Sequence, residues 1–145
     1  MFVLYGRKTI MTRLNFKVHL PWMVLMLIIS IQSSISSIDV PQLGITFMDK
    51  ILHFFIFGVL GVLIIRGMLL NRINRALIWT MIIGATFAML DEWHQFYVPG
   101  RDASFYDFIA DVLGILTFSM IYYGYYHKKK RRALVLKKET EPSVS

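Results

Sequence analysis

The sequence predicts an all-α integral membrane bundle of four transmembrane helices with both termini in the cytoplasm, and three observations predict it. Of the 145 residues, 56% are hydrophobic and the mean hydropathy is +0.55, too apolar for an ordinary small soluble domain. Four apolar stretches alternate with short polar or Pro/Gly-containing breaks. Lysine and arginine are distributed very unevenly between alternate connections. The length supports one domain, residues 1–145, with no internal repeat and no separate soluble unit.

The first span is expected over residues 18–35, after Arg7, Lys8, Arg13 and Lys17. Two readings fit it. A basic leader, a short apolar core and small residues such as Ser34 and Ser36 match a cleavable signal peptide; an uncleaved first helix is the preferred reading. Pro41 and Gly44 break the chain, and a second span follows over 47–68, long enough at ~1.5 Å per residue for a ~30 Å hydrocarbon core. Residues 71–75 form a turn. The third span, 76–93, runs into the polar segment 91–95, and Pro99 with Gly100 makes the next turn. The fourth, 105–126, ends in tyrosines 122, 123, 125 and 126, a pattern resembling an interfacial aromatic belt. A basic cytoplasmic tail, 128–145, completes the chain, its cluster at 128–132 reading as an anchor.

Charge orients the bundle. Four basic residues lie in the leader, three between 66 and 75 and seven after His127, against two, Lys50 and Arg101, on the other side. Fourteen against two fits an even number of spans with both ends inside. Seven of the nine acidic residues fall on or just inside the opposite face: Asp39, Asp49, Asp91, Glu92, Asp102, Asp107 and Asp111. The net charge of +7 does not indicate nucleic acid, because the basic residues sit at segment ends without a recognition motif. No cysteine is present, which excludes disulfides and thiolate chemistry.

Helical spacing gathers the polar residues into one cap. Gly84, Ala88, Asp91 and Gln95 recur at steps of four, three and four, so small residues and a carboxylate share the face that packs inward. Asp107, Asp111, Gly114 and Phe118 repeat this on the fourth helix, and Lys50, His53 and Phe57 on the second. Asp111 lies about one turn, ~6 Å, deeper than Asp107 and needs a partner there, for which the second helix offers Lys50 and His53 and the loop Arg101. Arg101, with its planar fork, is expected to pair with Glu92 or Asp107. The candidate ligand-binding residues are therefore Lys50, His53, Asp91, Glu92, Gln95, Arg101, Asp107 and Asp111. Ordinary explanations stand beside these: Asp49 and Lys50 as interfacial helix ends, His53 as a structural hydrogen-bonding group, and His94 with Trp22, Trp79 and Trp93 as interfacial or packing residues. A metal site is conceivable because His53, His94 and several carboxylates lie on one side, but no cofactor or metal is expected, since no two histidines lie one helical turn apart. No phosphate loop or nucleophile elbow appears.

The series Asp91, Glu92, Gln95, Phe96, Pro99, Gly100, Arg101, Asp107 and Gly114, preceded by Lys50 and His53, resembles the signature of the VanZ-like family, over about residues 49–118. The resemblance implies a bacterial cell-membrane protein of a family named for a teicoplanin-resistance protein, and no settled biochemical activity. It also implies an asparagine one turn after the aspartate, where this chain has Asp111.

Three functions fit these residues. The first is a noncatalytic envelope protein whose external cap contacts membrane lipids and a lipid-linked or glycopeptide headgroup, with Lys50 and Arg101 attracting anionic groups. The second is an intramembrane enzyme acting on an envelope lipid through Glu92, Asp107 and His53. The third, a proton relay or transporter, lacks an acid or base in the inner half of the bundle to continue a path.

Overall fold

The computed structural model describes residues 15–35, 46–101 and 103–140. The expected break at Pro41 and Gly44, the leader arginines and lysine at 7, 8 and 13, and Asp39 and Asp102 lie outside them. A short 3-10 turn, Phe16–Val18, leads into α1 (Leu20–Ser33), followed by α2 (Thr46–Leu70), α3 (Ala76–Phe96) and α4 (Phe105–Thr140). All regular structure among the described residues is helical. That is the form in which a chain surrounded by hydrocarbon satisfies its own backbone polar groups.

α2, α3 and α4 are each long and apolar enough to cross a membrane, and α1, at 14 residues, is shorter. Its ends nevertheless reach the same two levels as its neighbours. At its start, Asn15 N–H donates to Asn71 Oδ1 (3.1 Å) and His19 Nε2 lies 2.6 Å from Asn71 Nδ2. At its finish, Ser33 and Ser34 meet Asp91 and His94. α1 and α3 thus run toward the end carrying Asp91, and α2 and α4 run away from it.

α2 and α4 advance side by side in parallel, because Lys50 meets Asp107, His53 meets Asp111 and Phe54 meets Gly114 in step. Small residues permit this closeness. A Cβ on Gly114 would clash with the Phe54 carbonyl oxygen, and one on Gly61 would stand 2.9 Å from the Ile115 backbone. Phe57, Leu60, Ile64, Ile65, Ala88 and Ile115 fill the interior. Leu27, Phe55, Val59, Ile82, Met120 and Ile121 face outward, so the helices are apolar all round, as lipid contact requires.

Both turns have clear local causes. α2 ends in a Schellman motif: Ile73 N–H donates to Met68 O (2.9 Å) and Arg72 N–H to Leu69 O (3.1 Å), with Arg72 left-handed at φ 54° and Ile73 packed on the core. Between α3 and α4, Val98 to Arg101 close a type II turn, with Pro99 and then Gly100 at φ 78°, and Arg101 N–H donating to Val98 O (3.1 Å). The basic segment after His127 continues α4 as helix through Thr140. Lysine, arginine, alanine and leucine are strong helix formers, and residues 125–140 contain neither glycine nor proline.

Candidate functional site

The polar residues assemble at the end of the bundle where α1 and α3 finish and α2 and α4 begin. Four carboxylates are buried there: Asp91 (4% exposed), Glu92 (9%), Asp107 (4%) and Asp111 (0%). Each is held by a different partner. Unpaired carboxylates at this depth would carry a large desolvation penalty.

On the α2/α4 side, Lys50 Nζ pairs with Asp107 Oδ1 at 2.9 Å, with the lysine side chain about a third exposed (31%). One turn deeper, His53 Nδ1 lies 3.0 Å from Asp111 Oδ1, and the imidazole stacks on Phe57 with ring centroids 6.2 Å apart. On the α1/α3 side, Asp91 Oδ2 accepts from Ser33 Oγ (3.0 Å) and Gln95 Nε2 (2.9 Å). Ser34 Oγ donates to Ser30 O (2.7 Å), which spends its only proton, so at 2.9 Å the His94 Nε2 must donate to it.

Glu92 Oε2 accepts the Ser104 N–H at 2.8 Å, immediately before α4. The Ser104-Phe105-Tyr106-Asp107 pattern would place Asp107 in that role as a capping box, but Glu92 of α3 occupies it instead. Asp107 is thereby left to pair with Lys50. A carboxylate at a helix N-terminus also opposes the positive end of the helix dipole.

Arg101 departs from expectation. It pairs with neither Glu92 nor Asp107: its Nη2 donates to Gln32 O (3.0 Å) and its Nε to Ile35 O (3.3 Å). The carbonyls at the end of a helix have spare accepting capacity, and Arg101, emerging from the type II turn, adds a donor to Gln32 O, which also accepts the Ile35 N–H at 3.1 Å, and one to Ile35 O. The expected acidic partners are already engaged by Ser104 and Lys50.

All eight sequence candidates therefore lie at this end of the bundle, and Ser33, Ser34 and Ser104 join them. Ser34 stood out in the sequence only as a small residue near a possible cleavage point. Nothing in the spacing linked Ser33 to Asp91, 58 residues away. Asp49 is exposed beside the site, and Trp93, also exposed, donates its indole N–H to Tyr97 Oη at 3.2 Å.

Two hollows adjoin the cluster. A small cleft of about 70 Å³ lies between α1, α2 and α3, lined in part by Ser33, Asp49, His53, Asp91, Gln95 and Arg101. A larger groove of about 430 Å³ between α3 and α4 is walled by Met89, Trp93, Phe96, Phe105 and Phe108, with Glu92 and Ser104 on its lining. One donor atom each from His53, Glu92 and Asp111 lies within 4.8 Å of the others, a set that could ligate a cation. The sequence put His53 and the carboxylates on one side, but no ligand spacing along any one helix marked the set, because the three donors come from three helices.

A comparison with protein families matches the VanZ/LLP1 model over residues 4–126. No curated protein and no solved structure matches the chain. The family match spans most of the sequence and includes every residue of the buried cluster, and with three helices suited to crossing a bilayer this chain is a membrane protein that belongs to the VanZ/LLP1 family.

Proposed function

We propose that the protein is a four-span protein of the bacterial cell membrane, with both termini cytoplasmic, whose polar cap faces outward and binds a lipid-linked or glycopeptide headgroup at the membrane surface. The observation that carries this reading is the α3/α4 groove. Its wall of Met89, Trp93, Phe96, Phe105 and Phe108 suits an apolar body, and Ser104, whose backbone Glu92 holds, brings a hydroxyl to the lining for hydroxyl or amide groups. Both ligand classes carry hydroxyls and amides. The one-third exposed Lys50 adds a positive charge at the same end. The common depth of α1 and its neighbours supports four spans, and the excess of lysine and arginine at the other end supports the orientation. In this reading a link to teicoplanin resistance acts through the bound headgroup.

The test is a teicoplanin-susceptibility assay in cells expressing the wild type, Glu92→Ala or Arg101→Ala, with membrane protein levels measured in parallel. Both substitutions are expected to abolish the resistance conferred by the wild type at equal abundance. Full resistance in both variants would overturn the reading. A second reading, an enzyme acting on an envelope lipid, is favoured by Glu92 Oε1, which is buried without a hydrogen-bond partner and so is available to accept a proton. Turnover of envelope lipids by the purified protein that disappears in Glu92→Gln would place this reading first.

A further inference from the structure

We propose that His53, Glu92 and Asp111 form a binding site for one divalent transition-metal ion, Zn2+ or Mn2+, at the meeting of α2, α3 and α4. The site shares Glu92 with the lining of the α3/α4 groove, but it rests on the arrangement of the three side chains and does not depend on what that groove binds.

Geometry is the first argument. The three donor atoms converge within 4.8 Å of one another, although their residues are far apart in sequence. Around a tetrahedral ion at ~2.1 Å, donors stand roughly 3.4 Å apart, so side-chain adjustments of about 1 Å would close the set.

The second argument is hydrogen bonding. Glu92 Oε1 and Asp111 Oδ2 are both buried and have no partner. Their sister oxygens are engaged: Ser104 N–H holds Glu92 Oε2, and His53 meets Asp111 Oδ1. Glu92 is thus anchored through one oxygen by a group outside the set, as when outer hydrogen bonds orient metal ligands, while the unfilled oxygen of Asp111 belongs to a carboxylate that already meets the third ligand, His53. Buried acceptors without partners are uncommon in native structures and need an explanation. Nearby cations do not provide one, since Lys50 pairs with Asp107 and Arg101 with the end of α1.

The donor chemistry narrows the ion. One imidazole with two carboxylates and no thiolate suits Zn2+ or Mn2+, whereas Ca2+ takes six to eight oxygen ligands and Mg2+ demands a near-octahedral oxygen shell. Two carboxylates balance the charge of a divalent ion. His53 also lines the 70 Å³ cleft, which gives an entry path and room for a water, at ~30 Å³ each, to complete the coordination.

The experiment uses the full chain, purified in detergent through a histidine-free tag, stripped with chelator and titrated calorimetrically with ZnCl2 and MnCl2. The expected result is one ion per chain, weakened on the order of 100-fold or more by Asp111→Asn and by Glu92→Gln. His94→Gln, away from the site, should bind as the wild type does. Folding of each variant is followed by circular dichroism. X-ray absorption of the zinc-loaded wild type supplies a test that needs no variant: a first shell of one imidazole nitrogen with oxygens is expected. Folded wild type that binds neither ion, binding unchanged in both carboxylate variants, or a shell with several imidazoles or with none would each overturn the proposal.

Discussion

The Lys50–Asp107 pair shows how a buried carboxylate at this end depends on its single cation. Asp107 is 4% exposed and Lys50 is its ion-pair partner, so Lys50→Met leaves a buried acid without its cation. The expected loss is about 1–3 kcal/mol, seen as a lower thermal midpoint in detergent. Adding Asp107→Leu should recover most of that loss, because replacing both members of a buried pair by apolar groups removes the desolvation penalty together with the attraction. A double variant no more stable than Lys50→Met alone would contradict this account. The buried polar residues were legible in the sequence as a set, from helical phase and from their common position at segment ends. Their partners were legible only in part: the second helix offered Lys50 and His53 to Asp111, and His53 is the one that meets it. Arg101 was expected on an acid and instead holds the end of α1, because Ser104 and Lys50 had already satisfied the two candidates.

Helices α2 and α4 approach closely through glycine, and the contrast between two glycines of α4 tests that. Gly114 has no room for a side chain against the Phe54 carbonyl, whereas a methyl group at Gly124 would meet nothing within 4 Å. Gly114→Val is expected to separate the helices, with a loss of at least about 1–3 kcal/mol read in the same thermal assay. Gly124→Ala should be neutral or stabilising by up to ~1 kcal/mol through helix propensity. At the end of α2, Arg72 sits at φ 54°, a conformation that costs an L-residue roughly 1–2 kcal/mol, so Arg72→Gly should raise stability. Element positions were largely readable from apolar runs and from Pro/Gly breaks. The exception is the end of α4: a charged segment reads as a solvated tail, yet it continues a helix already nucleated, where each added residue gains a backbone hydrogen bond at little cost.

At the scale of the molecule, the proposed orientation can be measured directly, since the chain contains no cysteine. Ala103 and Asn74 are both exposed, at opposite ends of the bundle, and Ser143 lies beyond the described residues. With single cysteines at these three positions, an impermeant maleimide added to intact cells is expected to label Ala103→Cys alone. Labelling of Asn74→Cys or Ser143→Cys instead would reverse the orientation.

The amino-acid sequence alone determined that the chain is helical and suited to a bilayer, and that most of its acidic residues, with Lys50 and His53, gather at one set of helix ends while most lysines and arginines lie at the other. Composition, period and charge distribution are properties of one strand, and they fix depth and helical face. Only the tertiary structure decided which residue holds which, since the joined residues Lys50 and Asp107, His53 and Asp111, and Arg101 and Gln32 are 57, 58 and 69 positions apart. Those pairings depend on how far each helix is rotated and how closely it approaches its neighbour. Steric contact at Gly61 and Gly114 sets both, and no periodicity along one helix encodes it.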